Sequence, residues 1–306
     1  MYKKNIKPIQ YEGKLLNQNN AIFPIRHISE LTGVLTVTLR AWERRFGLLK
    51  PARTAKGHRL YSEADITRVK EILNLLNQGM AISQVRQVLD QKNNAKHPSV
   101  AADSIEDLQR QLLQTVMGLD VLAASQFIYD TGKNYPIAMV VERLVRPLKH
   151  RLSQTSGAIH QAAASSLVLA MQMFMARRLS HTHTKTESGK ILFVGMQGED
   201  LCLSYDLAWV MAAEAGIAVS ALGYQLPLAA LEELAASQQS KLIAIWADAE
   251  PHLGWENKLR DLTTKTTSKI YMGGELASRH QSFLASIAVN VLPLNMELTI
   301  KTLKDL

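Results

Sequence analysis

Arg40, Arg44 and Arg45 stand within six residues, and Arg53, Lys56, His58, Arg59 and Tyr61 follow within the next sixteen. Guanidinium, ammonium, imidazole and phenol groups packed this densely are donors for a repeated anion such as a phosphate backbone. Thr38 precedes them and adds a hydroxyl able to reach a base edge. Elsewhere the chemistry-bearing residues are sparse. Cys202 is the single cysteine, which excludes an intramolecular disulfide and any cysteine-rich metal site. His181 and His183 lie in a Ser/Thr tract without further ligands beside them, so no metal site is expected there. The run GMQGEDL after an apolar segment carries Gly195 and Gly198 but not the G-x-G-x-x-G spacing of a dinucleotide loop. No catalytic constellation is evident, and an enzyme is not expected.

The elements that must position the donors are legible. Ile25–Leu31 reads as a short helix with Ile28 and Leu31 inward, and Gly33 marks a turn. Thr36 is a candidate cap for a second helix, Val37 to about Arg45, anchored by Leu39 and Trp42. Two short helices joined by a tight turn form a helix-turn-helix, whose second helix enters the major groove. Pro51 and Gly57 suggest a small wing behind it. Ser62 and Asp65 form a capping-box variant before a helix to Asn77, and Ser83 is a candidate cap for Gln84–Leu89.

Charge agrees with this placement. The chain of 306 residues carries +8, with eleven Lys/Arg against six Asp/Glu over 21–90 and nine against thirteen over 190–306. A basic head on an acidic tail expects only the head to meet a polyanion. Length allows several domains. The expected organisation is a flexible basic arm (1–20), a DNA-binding domain (21–90), a linker (91–102), a helix bundle (103–180), a linker (181–189) and an α/β domain (190–306). In the last, short apolar strands alternate with helices, as in a Rossmann-like, mostly parallel sheet. A lone cysteine and a polar, lysine-bearing start without an apolar core favour a cytoplasmic protein. The apolar runs near 162–176 and 207–222 read as buried helices, not membrane spans.

Residues 21–90 resemble the DNA-binding domain of the MerR family of winged helix-turn-helix regulators. The likeness rests on ISELTGV, TLRAWERRFGLLKPARTAKGHRLYSEADI and GMAISQVRQVL, with Arg40, Trp42, Glu43, Arg59 and Tyr61 in the family's pattern. It implies a homodimer or higher homo-oligomer on palindromic promoter DNA, with Arg59 and Tyr61 on the backbone.

The bundle and α/β segment resemble the cobalamin-binding module of the light-responsive regulators of the CarA/CarH/LitR kind, and Gly273 and Gly274 fit its pattern. That module implies a lower-ligand histidine in a D-x-H-x-x-G-like loop and a Trp…Glu-His set above the cofactor. Here the loop is GEDLCLS, with Leu201 at the histidine position and Ser204 at the final glycine. His160 matches the upper histidine, but Ile159 replaces the glutamate and no tryptophan occurs in 91–189. Leucine has no lone pair for cobalt, and serine adds bulk. The expectation is a sensory or oligomerisation module without ordinary cobalamin chemistry; adenosylcobalamin is disfavoured. An unidentified small ligand or protein partner remains open. The alternatives are a cobalamin- and light-responsive regulator with unusual ligation, or a fragment of a cobalamin-dependent enzyme.

Overall fold

The computed structural model describes residues 23–54, 56–91, 104–180, 182, 191–196, 198, 202–224, 226–251 and 253–306. The expected arm, most of both linkers, His181, His183 and Leu201 lie outside the described residues. The chain forms two compact units, Met1–Ser104 and Ile105–Leu306.

In the first unit β1 (Phe23–Pro24) leads into α1 (Ile25–Thr32), and Gly33 closes that helix in the left-handed region at φ 70°. Then come α2 (Thr36–Phe46), the strands β2 (Ala52–Arg53) and β3 (Arg59–Tyr61), α3 (Glu63–Asn77) and α4 (Ile82–Gln91). β3 pairs antiparallel with both β1 and β2. The capping box is present: Ser62 Oγ accepts from the Asp65 amide, and the Asp65 carboxylate accepts from the Ser62 amide. Two expected caps differ. Thr36 is the first helical residue after Leu35, and Ser83 lies inside α4. Ile28, Leu39, Trp42, Ile72 and Val85 are fully enclosed. Arg68 donates to the Leu48 carbonyl (2.6 Å) and pairs with Asp90, which also pairs with Arg86. Burial pushes the Asp90 carboxyl up, but these two arginines outweigh it and hold it low.

The second unit begins with a bundle: α5 (Ile105–Met117), α6 (Val121–Gly132), α7 (Ile137–Met139), a π-helical segment (Val140–Val145), α8 (Arg146–Gln154) and α9 (Ala158–Leu179). By length and composition alone α9 could cross a membrane. Here it is the hub of the bundle, touching α5, α6 and α8.

A five-stranded parallel sheet follows: β4 (Ile191–Gly195), β5 (Val219–Ala221), β6 (Leu242–Trp246), β7 (Lys269–Gly273) and β8 (Asn290–Val291), in the order β5-β4-β6-β7-β8. β4 and β6 are buried at every position, as parallel strands covered on both faces must be. The connections are α10 (Leu203–Glu214), a 3₁₀ turn (Leu228–Ala230) with α11 (Leu231–Ser237), α12 (Trp255–Lys265), and two short helices, α13 (Glu275–Arg279) and α14 (Gln281–Ser286), where one helix over 278–288 is expected. The final helix α15 (Met296–Asp305) is an addition; Asn295 caps it through the Leu298 amide.

Candidate nucleic-acid interface and crevice

The outer face of α2 is set by helical period. Thr38, Leu39, Ala41 and Trp42 point inward, which leaves Val37, Arg40 and Arg44 exposed on one side with Arg45 beside them. Thr38 therefore does not fit its expected role as a base contact. It lies one turn before Trp42 on the core face, and its hydroxyl is buried. Val37, unremarked in the sequence reading, holds the outward position and is 49% exposed.

The wing is a hairpin in which Arg53 sits opposite Arg59. Its tip is closed by Thr54: the Thr54 amide donates to the His58 carbonyl (2.9 Å), and the His58 amide donates to Thr54 Oγ1 (3.0 Å). Gly57, at φ 81°, makes the reversal. Lys56 and His58 are exposed there. Glu43 of α2 holds the wing. One carboxylate oxygen accepts from Arg53 Nη2 at 3.1 Å, and the other accepts from Arg59 Nε. Tyr61, expected at the phosphates, is fully buried and its hydroxyl is enclosed. Burial first, and then the Glu43 charge, pushes that hydroxyl up to about 12. On a three-residue strand Tyr61 shares a face with Arg59, and that face turns toward α2.

The second unit places its own chemistry where a doubly wound sheet takes ligands, at the carboxyl ends of the strands flanking the order reversal, here β4 and β6. Arg146, at the start of α8, reaches Asp248 Oδ2 (3.2 Å), Glu275 Oε1 (3.1 Å), Ser204 Oγ (3.2 Å) and both oxygens of Glu142 (2.8 and 3.0 Å). Asp248 follows β6. It accepts from Ser204 Oγ (2.5 Å), the Ser204 amide (3.0 Å) and the Glu275 amide (3.3 Å). Burial raises the Asp248 carboxyl, yet Arg146 and these donors together hold it below the usual carboxylate range. A second bundle arginine, Arg178, pairs with the partly buried Glu214 of α10.

Aromatic rings complete the filling. A Cβ on Gly195 would lie 2.0 Å from the Tyr224 ring, and one on Gly273 would lie 2.3 Å from the Trp246 ring. Tyr224 stacks edge-on with Tyr205 at 4.9 Å. Asp206 is buried against Tyr224, and burial pushes its carboxyl up to about 6. Ser204 sits in this layer; Ile159 is exposed and His160 partly buried in the first turn of α9. Cys202 is buried as the residue before α10. Among the described residues no group of three His, Cys, Asp or Glu could hold a metal ion. The sequence reading missed Arg146, Asp248, Glu275, Asp206 and Tyr224. The available signal was charge next to apolar runs: Arg146 in LVRPL, and Asp248 closing the strand LIAIWA.

A family model described as MerR HTH family regulatory protein matches residues 23–92. The HTH-type transcriptional regulator MlrA of Escherichia coli (strain K12) is 30% identical over 206 residues, 67% of this chain and 82% of the relative. The chain belongs to the MerR family of helix-turn-helix regulatory proteins. Another relative, the HTH-type transcriptional repressor CarH of Myxococcus xanthus, is 33% identical over 127 residues, 42% of each chain. In fold, the second unit of this MerR-family chain is similar to the monomethylamine corrinoid protein of Methanosarcina barkeri: TM-score 0.51 at 14% identity, covering 66% of this chain and 99% of that one. A MerR-type DNA-binding head is thus joined to a module with a cobalamin-binding-like fold.

Proposed function

We propose that this protein is a promoter-binding transcription regulator that docks as a homodimer or higher homo-oligomer, and whose second unit controls assembly without ordinary cobalamin chemistry. Arg40, Arg44 and Arg45 on α2 face the major groove. Arg53, Lys56, His58 and Arg59 of the wing take phosphates, with Glu43 fixing the angle of the wing.

What carries the second half of the reading is the crevice itself. The residues present do not fit a corrinoid. Ser204 and Asp248 are bonded to each other and to Arg146. Tyr224 and Trp246 cover Gly195 and Gly273, where a cofactor tail needs open backbone. Leu201, at the position of the lower ligand, offers no donor atom.

The test is a dark titration of the full chain with adenosylcobalamin, followed by absorbance and size-exclusion before and after illumination. The expected result is no saturable spectral change and no change in assembly. Stoichiometric binding with a light-dependent change in size would replace this reading with a photoreceptor of unusual ligation.

A further inference from the structure

We infer that Val37 is a base-reading residue that takes the 5-methyl group of a thymine, next to a guanine read by Arg40. The inference rests on the proposed promoter binding and adds a specificity to it.

Val37 is the second residue of α2, and the N-terminal residues of the second helix are those that meet base edges in a helix-turn-helix. It shares the exposed face with Arg40 and Arg44, three and seven positions on. Valine is a weak choice for an exposed helix position. Its branched Cβ lowers helix propensity, and at 49% exposure it gains little from burial. The adjacent Thr38 is turned into the core, so the hydroxyl cannot do the reading and the valine methyls stand in its place.

The chemistry of that face is then specific. Two methyls match the one apolar group in the major groove, the thymine methyl, while a guanidinium matches the acceptor pair of guanine. At about 1.5 Å rise per residue, Val37 and Arg40 are about 4.5 Å apart along the helix axis, and Val37 and Arg44 about 10.5 Å. With base pairs about 3.4 Å apart, the thymine falls one or two steps from the Arg40 guanine and about three from the Arg44 contact.

The experiment begins with selection of a half-site from random duplexes using the full-length protein. Each thymine is then replaced by deoxyuracil, which removes only the methyl. One thymine, within two steps of a guanine, is expected to lose about fourfold in affinity on replacement, the worth of one buried methyl-sized group. Val37→Ala is expected to bind the unmodified site about as weakly and to be indifferent to deoxyuracil. Val37→Thr, which keeps one methyl, is expected to fall between. A deoxyuracil penalty that persists unchanged in Val37→Ala overturns the inference, as does a selected half-site without such a thymine; both leave promoter binding intact. Failure to enrich any sequence overturns promoter binding and this inference with it. Circular dichroism of Val37→Ala separates loss of contact from loss of fold.

Discussion

Arg146→Met should expose how much of the second unit is held by one guanidinium. The Arg146 side chain is 20% exposed and that of Asp248 9%, so the pair is largely withdrawn from water. Deleting one member of such a pair leaves an uncompensated buried charge and costs about 3–5 kcal/mol. Asp248 keeps the Ser204 hydroxyl and two backbone amides, which argues for the lower end, about 3 kcal/mol. Glu142 and Glu275 are close to half exposed and rehydrate, so they add little. The double variant Arg146→Met/Asp248→Asn removes the stranded charge, but its amide group turns a donor toward an existing one. It should recover roughly half of the loss.

The assay is urea unfolding of the full chain, followed by circular dichroism and by tryptophan fluorescence, with Trp246 beside the crevice. The acid side gives a second reading. Asp248 is held below its usual value in the fold, so its contribution is present above the unfolded carboxylate range and is lost as pH falls through the folded value. Arg146→Met should erase that acid-dependent loss. A loss under about 1 kcal/mol, or a double variant no more stable than the single one, would refute the account of the crevice as an internal ion-pair lock.

Asp206 should behave in the opposite sense. Its folded value of about 6 against 3.8 means stability falls as pH rises from about 4 through 6, by about 3 kcal/mol, and Asp206→Asn should flatten that decline in pH-dependent urea melts. Glu43→Gln removes the shared counter-charge of Arg53 and Arg59. Filter binding should show a few-fold gain on random duplex with poorer discrimination of the selected site; an unchanged ratio would count against Glu43 as the wing's anchor. Arg59→Ala should lower the slope of log K against log salt by about one, and an unchanged slope would remove Arg59 from the phosphate contacts. Gly195→Ala should cost about 1–3 kcal/mol in the same urea assay, because the Tyr224 ring must move.

The head was legible because local rules act there over short distances. Helical period gave α1 and α2, although Leu31, expected inward, is 51% exposed; the S-x-x-D pattern gave the α3 cap, and Pro51 and Gly57 in a basic stretch gave the wing. Thr38 and Tyr61 were misplaced for one reason: residue type names a possible contact, while the helix or strand phase decides which way the side chain points. The alternation of the α/β segment was also readable. The split of 275–286 into α13 and α14 was not, and neither was α15, whose start rests on a single Asn295 cap. The crevice lay beyond sequence reasoning, since Arg146 and Glu275 are 129 positions apart. Ser204 was read only as added bulk. Its hydroxyl gains meaning when Asp248 arrives from beyond the end of β6.

The π-helical segment Val140–Val145 ends immediately before Arg146. A π turn accommodates one residue more than an α turn, so this segment is a stored insertion. Excising one of its residues would let the segment tighten to α-helix with its two flanks nearly in phase, because the wider π turn had already taken up that residue. Arg146 would then still face Asp248, with no change needed at any crevice residue. A single codon lost from this segment would therefore leave the crevice closed, whereas one lost from the regular turns of α8 would turn the residues after it by about 100°.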